Sequence, residues 1–220
     1  MKFLVRTRIL VALCAAFVLI SARANATTIT FSFDQNGCTG GCGAAPYGTV
    51  TLDDSEGTDI VDVLVTLNGS NEFVATGAGA ALEFNLSGNP SITSANISDI
   101  TTGFAFAGAD PGGAFGAFMY TIQCVVPTGC GNGGSHPNPG PLTFDLTLSG
   151  IALSSFIPNA GGYYFASDII GSTGNTGLVA ALGPRGELQQ VDPVPEPASL
   201  VLLGTGLTIA ARRFRKAKRA

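Results

Sequence analysis

Tryptophan is absent from this sequence, histidine occurs once, and charged residues make up only 12% of it. A single histidine rules out a multi-histidine metal centre. With no tryptophan and only four tyrosines, the chain has few of the aromatic platforms on which sugar-binding clefts are usually built. Positive charge is the scarcest feature of all in the middle of the chain. Between Thr27 and Val194 the only Lys or Arg is Arg185, set against 14 Asp and Glu, a formal charge of −13. A body this acidic repels phosphate backbones, which argues against nucleic-acid binding. No glycine-rich stretch precedes a helix pattern, so nucleotide binding has no support either.

What is present is glycine, at 30 residues, together with many threonines and serines and short apolar runs. Apolar residues alternate with polar ones at a period of two, the signature of half-buried strands. Ile29, Phe31 and Phe33 share one face of a first run; Val61, Val63, Val65 and Leu67 share one face of a second. Leu82, Phe84 and Leu86 make a third, and Leu142, Phe144, Leu146 and Leu148 the clearest case. Further strand candidates cover residues 49–52, 104–107, 115–125, 163–170 and 177–182. Turn signals separate them at Asn68-Gly69, Gly88-Asn89-Pro90, Asp110-Pro111-Gly112-Gly113 and Gly174-Asn175. About ten short strands without a convincing amphipathic helix predict an all-β fold, an antiparallel two-sheet sandwich of which the jelly roll is one form. A parallel β-helix is the rival, though no regular repeat is visible. Residues 126–141, rich in Gly, Pro and Asn, read as a long surface loop.

The remaining cations sit at the two ends, where they read as membrane topology. Lys2, Arg6 and Arg8 precede an apolar run over residues 9–20, and Ala24-Asn25-Ala26 supplies small residues for cleavage. This is the pattern of a secretory signal peptide over residues 1–26, implying the Sec machinery, signal peptidase and a mature start at Thr27. A lipoprotein reading at Cys14 is weaker, because bulky Leu13 precedes it. At the other end, residues 198–211 would span about 21 Å as a helix, short of the roughly 30 Å hydrocarbon core. Asp192 and Glu196 lie before this stretch, while Arg212, Arg213, Arg215 and Lys216, followed by Lys218 and Arg219, lie after it. The positive-inside bias therefore places the basic end in the cytoplasm and the body outside, with long basic side chains offsetting the short span.

Val194-Pro195-Glu196-Pro197-Ala198-Ser199, a glycine-interrupted apolar stretch and an Arg-rich end together resemble the PEP-CTERM sorting signal. The resemblance covers residues 194–220, with Pro195, Glu196 and Pro197 matching the motif residue by residue. It implies recognition by an exosortase in the inner membrane of a bacterium that makes extracellular polysaccharide. The tail would be removed or exchanged there. No such resemblance extends into residues 27–193, the expected single extracellular domain.

Setting aside Cys14, four cysteines remain: Cys38, Cys42, Cys124 and Cys130. An even number in an oxidising compartment reads as two disulfides. Three pairings are possible; local pairs, each stapling a glycine-rich loop, are preferred. Zinc is the alternative, but the spacings miss the usual ligand pattern. Asp53, Asp54, Glu56, Asp59 and Asp62 are dense enough to suggest oxygen ligands for calcium, yet they fail the EF-hand spacing and read first as an acidic hairpin turn. His136, in Ser135-His136-Pro137, has no nucleophile elbow beside it and reads as a solvated loop residue. Tyr163 and Tyr164 are adjacent, so on a strand one points inward and one outward.

The expected product is an exported surface or matrix protein, non-enzymatic and without a cofactor, held near extracellular polysaccharide. A secreted carbohydrate-binding or carbohydrate-active protein is the alternative. It requires two converging carboxylates or exposed aromatics on one sheet face.

Overall fold

Period-two alternation makes each strand two-faced, and two-faced strands bury their apolar sides by stacking sheet on sheet. The structure, a computed structural model, describes residues 27–190 apart from 55–56, 78, 126–128, 131–133 and 185–188. The signal segment and the sorting tail, with Ala24, Ala26, Pro195, Glu196, Pro197, Arg212, Arg213, Arg215 and Lys216, lie outside the described residues. Residues Ala26–Val191 form one unit.

In chain order the strands are β1 (Thr27–Ser32), β2 (Gln35–Asn36), β3 (Gly48–Asp53), β4 (Ile60–Leu67), β5 (Glu72–Phe73), β6 (Leu82–Phe84) and β7 (Ile97–Ser98). They continue with β8 (Phe104–Gly113), β9 (Gly116–Cys124), β10 (Leu142–Thr147), β11 (Phe165–Ile170), β12 (Thr176–Ala181) and β13 (Gln189–Gln190). One sheet has the order β13-β1-β3-β4-β10-β7; the other runs β2-β12-β11-β6-β9-β8, with β5 also pairing with β11. Every pairing is antiparallel, which removes the parallel β-helix as an architecture.

Register turns the alternation of single strands into rows. Ile29 faces Leu52, Leu52 faces Val63, and Val63 faces Phe144; Phe31, Val50, Val65 and Leu142 form the parallel row beside it. These rows form the inner face of the first sheet. The second sheet presents Leu82, Phe84, Ile122, Phe165, Ile169 and Val179 to the same core. Aromatic contacts bridge the sheets, with the Phe31 and Phe165 ring centroids 4.8 Å apart and those of Phe84 and Phe144 6.3 Å apart. Burying a side chain of this size contributes about 1.5–3 kcal/mol.

The chain changes sheets just after β1. Phe33 N–H still bonds the Gly48 carbonyl of the first sheet at 3.0 Å, whereas Asp34 N–H bonds Ala180 of the second at 3.0 Å. Tyr163 and Tyr164 split as expected: Tyr164 packs on Phe31 in the main core, and Tyr163 on Phe115 beyond the second sheet.

Two expectations need correction. Asp110-Pro111-Gly112-Gly113 is not a turn, because β8 runs through it to Gly113 and pairs with Gly116 across a tighter reversal. The register of β8 against β9 shifts between Phe106 and Gly108, between Gly108 and Asp110, and between Asp110 and Gly113. Bulges of this kind absorb Pro and Gly on a strand that lies at the end of its sheet, where a missing N–H costs little. The stretch 126–141 is not only a surface loop either. Asn138 exchanges backbone hydrogen bonds with Phe73 at 2.8 and 2.9 Å, and Cys130 is fully buried.

Candidate functional site

The outer face of the first sheet carries the polar half of the alternation, and register aligns it too. Thr30 faces Thr51, Thr51 faces Leu64, and Leu64 faces Thr143, while Thr49 faces Thr66 in the next row. Beside them Asp53 faces Asp62 and Asp62 faces Asp145, flanked by Thr28 at one end and Ser98 at the other. Like charges directly opposite one another on adjacent strands repel. Thr28 donates its hydroxyl to Asp53 at 3.3 Å. The sequence placed Asp53 and Asp62 in one acidic cluster; only the register adds Asp145, 83 positions beyond Asp62.

The rest of the suspected calcium cluster is divided among backbone anchors. Asp54 accepts the Thr27 N–H at 2.7 Å, tying the hairpin to the first residue of β1. Asp59, at φ 74°, accepts the Gly150 N–H at 2.5 Å and through its carbonyl the Leu148 N–H at 2.9 Å. Glu56 lies outside the described residues. Among the described residues no group of three or more His, Cys, Asp or Glu side chains is arranged to hold a metal ion.

The acids that sequence reasoning missed are on the second sheet. Glu83 and Asp168 are 0% and 1% exposed, on the adjacent strands β6 and β11. Ala166 faces Glu83, and Asp168 lies two residues further along, so both carboxylates are on one face, turned away from the main core. The Glu83 carboxylate accepts the Ala80 N–H at 3.2 Å. Asp168 accepts the Thr76 N–H at 2.5 Å and the Thr76 hydroxyl at 2.7 Å. Burial pushes the Asp168 carboxyl up to about 6, against the opposing pull of the Thr76 hydroxyl and N–H. Burial likewise raises the Tyr120 phenol, which donates to the Pro90 carbonyl at 2.6 Å. In sequence Glu83 and Asp168 fall on the polar phase of their strands and read as solvent-facing. The one warning is that each is a single charge within an apolar run, Leu82-Glu83-Phe84 and Asp168-Ile169-Ile170.

The cysteines join in the local pairs, Cys38 with Cys42 and Cys124 with Cys130, with Cα separations of 5.5 and 5.3 Å. Both flank the second sheet. Cys38 takes its place through its N–H to Asn36 Oδ1 at 2.9 Å, just past β2, and Cys124 is the last residue of β9. His136 is exposed, its Nδ1 3.3 Å from the hydroxyl of neighbouring Ser135. Among the described residues no helix is long and apolar enough to cross a membrane.

Residues 193–216 match the family model for the PEP-CTERM protein-sorting motif. The match covers the tail from the residue before Val194 into the basic cluster, and it includes Pro195, Glu196 and Pro197. The tail thus carries a sorting signal of the kind that an exosortase processes on exported proteins. No curated protein and no solved structure matches the chain.

Proposed function

We propose that this chain is an exported cell-surface or matrix protein whose tail is recognised and processed by an exosortase. In this reading its β domain serves a structural or adhesive role rather than an enzymatic one. The match of residues 193–216 to the sorting motif carries the reading. The N-terminal pattern ending at Ala24-Asn25-Ala26 and the basic end from Arg212 support the same orientation, body outside and tail end inside. Inside the domain, two disulfides and backbone anchors made by Asp54, Asp59, Glu83 and Asp168 direct polar chemistry to holding loops in place. Acidity keeps such a domain soluble and favours calcium-mediated association with acidic polymers.

Carbohydrate binding on a jelly-roll scaffold is the second reading. One observation favours it: rows of threonine hydroxyls line the outer face of the first sheet, a surface able to hydrogen-bond a neutral glycan. Binding on a glycan array that is lost when Thr51 and Thr143 are replaced by Val would put this reading first.

The deciding experiment is the intact mass and location of the mature protein in an expressing strain, with and without its exosortase. The reading expects a start at Thr27 and loss of the tail only when the exosortase is present. Retention of the tail in both strains would make residues 194–220 a simple membrane anchor.

A further inference from the structure

The ladder between β1 and β3 ends on a charge. Its outermost partners are Thr28 and Asp53, and Thr27 is the first residue of β1. One step further out, Asp54 N–H donates to the Thr27 carbonyl at 3.3 Å, as a continued antiparallel ladder would have it. The return bond is different: the Thr27 nitrogen donates to Asp54 Oδ1 at 2.7 Å. The Asp54 carbonyl is engaged in the turn instead, where it accepts the Gly57 N–H at 3.4 Å. A carboxylate therefore stands where the ladder would place a carbonyl. Thr27 and Asp54 are both half-buried, so water only partly screens the contact.

That exchange matters because of where Thr27 lies. The small residues Ala24-Asn25-Ala26 put the mature start at Thr27. Hydrolysis of the Ala26–Thr27 bond consumes one water, leaves a carboxylate on Ala26 and leaves a protonated amine on Thr27. A carbonyl suffices for an amide N–H, whereas an ammonium gains more from an ionised acceptor, because charge-assisted hydrogen bonds are roughly twice as strong as neutral ones. We propose that Asp54 is the binding seat for the α-ammonium group created at Thr27 by signal-peptide removal, so that export processing itself adds an ion pair to the end of β1. The proposal rests on the reading of Thr27 as the mature start.

The surroundings favour the same state. From β3, Asp53 adds a second carboxylate one residue away, where it accepts the Thr28 hydroxyl at 3.3 Å. On the other side of β1, β13 places Gln190 opposite Thr27 and Gln189 opposite Thr28, and neither residue is ionisable. Arg185 is the only Lys or Arg between Thr27 and Val194, so the new ammonium enters a body of formal charge −13 with little cationic competition. Before cleavage the same nitrogen is a neutral amide, and Asp54 holds it without an opposite charge.

The test uses the processed protein purified from an expressing strain. N-terminal sequencing comes first: a start other than Thr27 overturns the processing reading and this proposal with it, whereas every later outcome bears on the proposal alone. With the start at Thr27, the rate at which an amine-reactive acylating reagent modifies the N-terminal peptide is followed by mass spectrometry at neutral pH. No lysine lies between Thr27 and Val194, so no other primary amine of the domain competes for the reagent. The wild type should react about tenfold more slowly than Asp54→Asn, which keeps an oxygen for the nitrogen but no charge, the effect of a charge-assisted hydrogen bond of ordinary strength. The difference should shrink in high salt, and Asp53→Asn should stay close to the wild type. Equal rates in the wild type and Asp54→Asn, or an equal gain from Asp53→Asn, would overturn the proposal. Should Asp54→Asn not fold, an NMR titration of the wild-type α-amine decides: it should titrate above the same amine in the urea-unfolded protein, and coincidence of the two would sink the seat.

Discussion

Phe84 of β6 and Phe144 of β10 stack across the two sheets with ring centroids 6.3 Å apart and planes inclined by 29°. Each is fully or almost fully buried, and Phe144 also closes the row that begins at Ile29. Phe144→Ala should destabilise the domain by about 3–5 kcal/mol, because the rows on either side restrain collapse into the cavity. Urea unfolding of the single and Phe84→Ala variants would measure this. The double variant should lose less than the sum, since the two rings share one contact.

Asp168 makes stability depend on pH in a defined direction. Its carboxyl sits at about 6 in the folded protein against an ordinary 3.8. Below the ordinary value it is neutral in both the folded and unfolded states, and its contribution is complete. As pH rises through the folded value that contribution is lost, to the extent of about 3 kcal/mol. The urea midpoint should therefore fall between about pH 4 and pH 7. The fall should be smaller in Asp168→Asn, and an equal slope in both proteins would assign the trend to the net charge of the body instead.

Each disulfide closes a short loop, with sequence separations of 4 and 6. Loop-closure entropy for rings this small gives about 2 kcal/mol for each. Paired replacement of Cys124 and Cys130 by Ala should lower stability by that amount while leaving β9 paired with β6 and β8. Peptide mapping without reduction should recover Cys38 with Cys42 and Cys124 with Cys130, and any cross-pair would contradict the structure.

In the tail, Glu196→Ala should leave the export signal intact but block processing, so that an uncleaved, membrane-bound precursor accumulates. Separating the membrane and extracellular fractions, followed by intact mass, would show it. A variant processed like the wild type would mean that the glutamate is not read.

Much of the architecture was legible because period two is a local property. Ile29 to Phe33, Val61 to Leu67 and Leu142 to Leu148 declare their buried faces without reference to any partner strand. Local cysteine pairing is similarly close to a short-range property, as the partners stand only 4 and 6 positions apart. The very short strands β2, β5, β7 and β13 were not legible, since two residues cannot display a period. Asp110 to Gly113 misled because Pro and Gly signal a turn by local chemistry, whereas the bulged edge of a sheet tolerates both.

The acids divide along the same line. By itself the sequence determined that the body is acidic, that its ends are basic, that its strands are two-faced and that its tail bears a sorting motif. Each of those follows from composition, spacing or adjacent residues. Tertiary structure alone decided which acids meet and which are buried. Asp62 and Asp145 became neighbours through the pairing of β4 with β10. Asp168 came to hold Thr76, 92 residues away, because the connection between β5 and β6 lies over β11. Whether a polar side chain on the outer phase of a strand meets water or another segment depends on what crosses that face. No local pattern encodes the crossing, so the buried carboxyl and its pH dependence appear only in the folded chain.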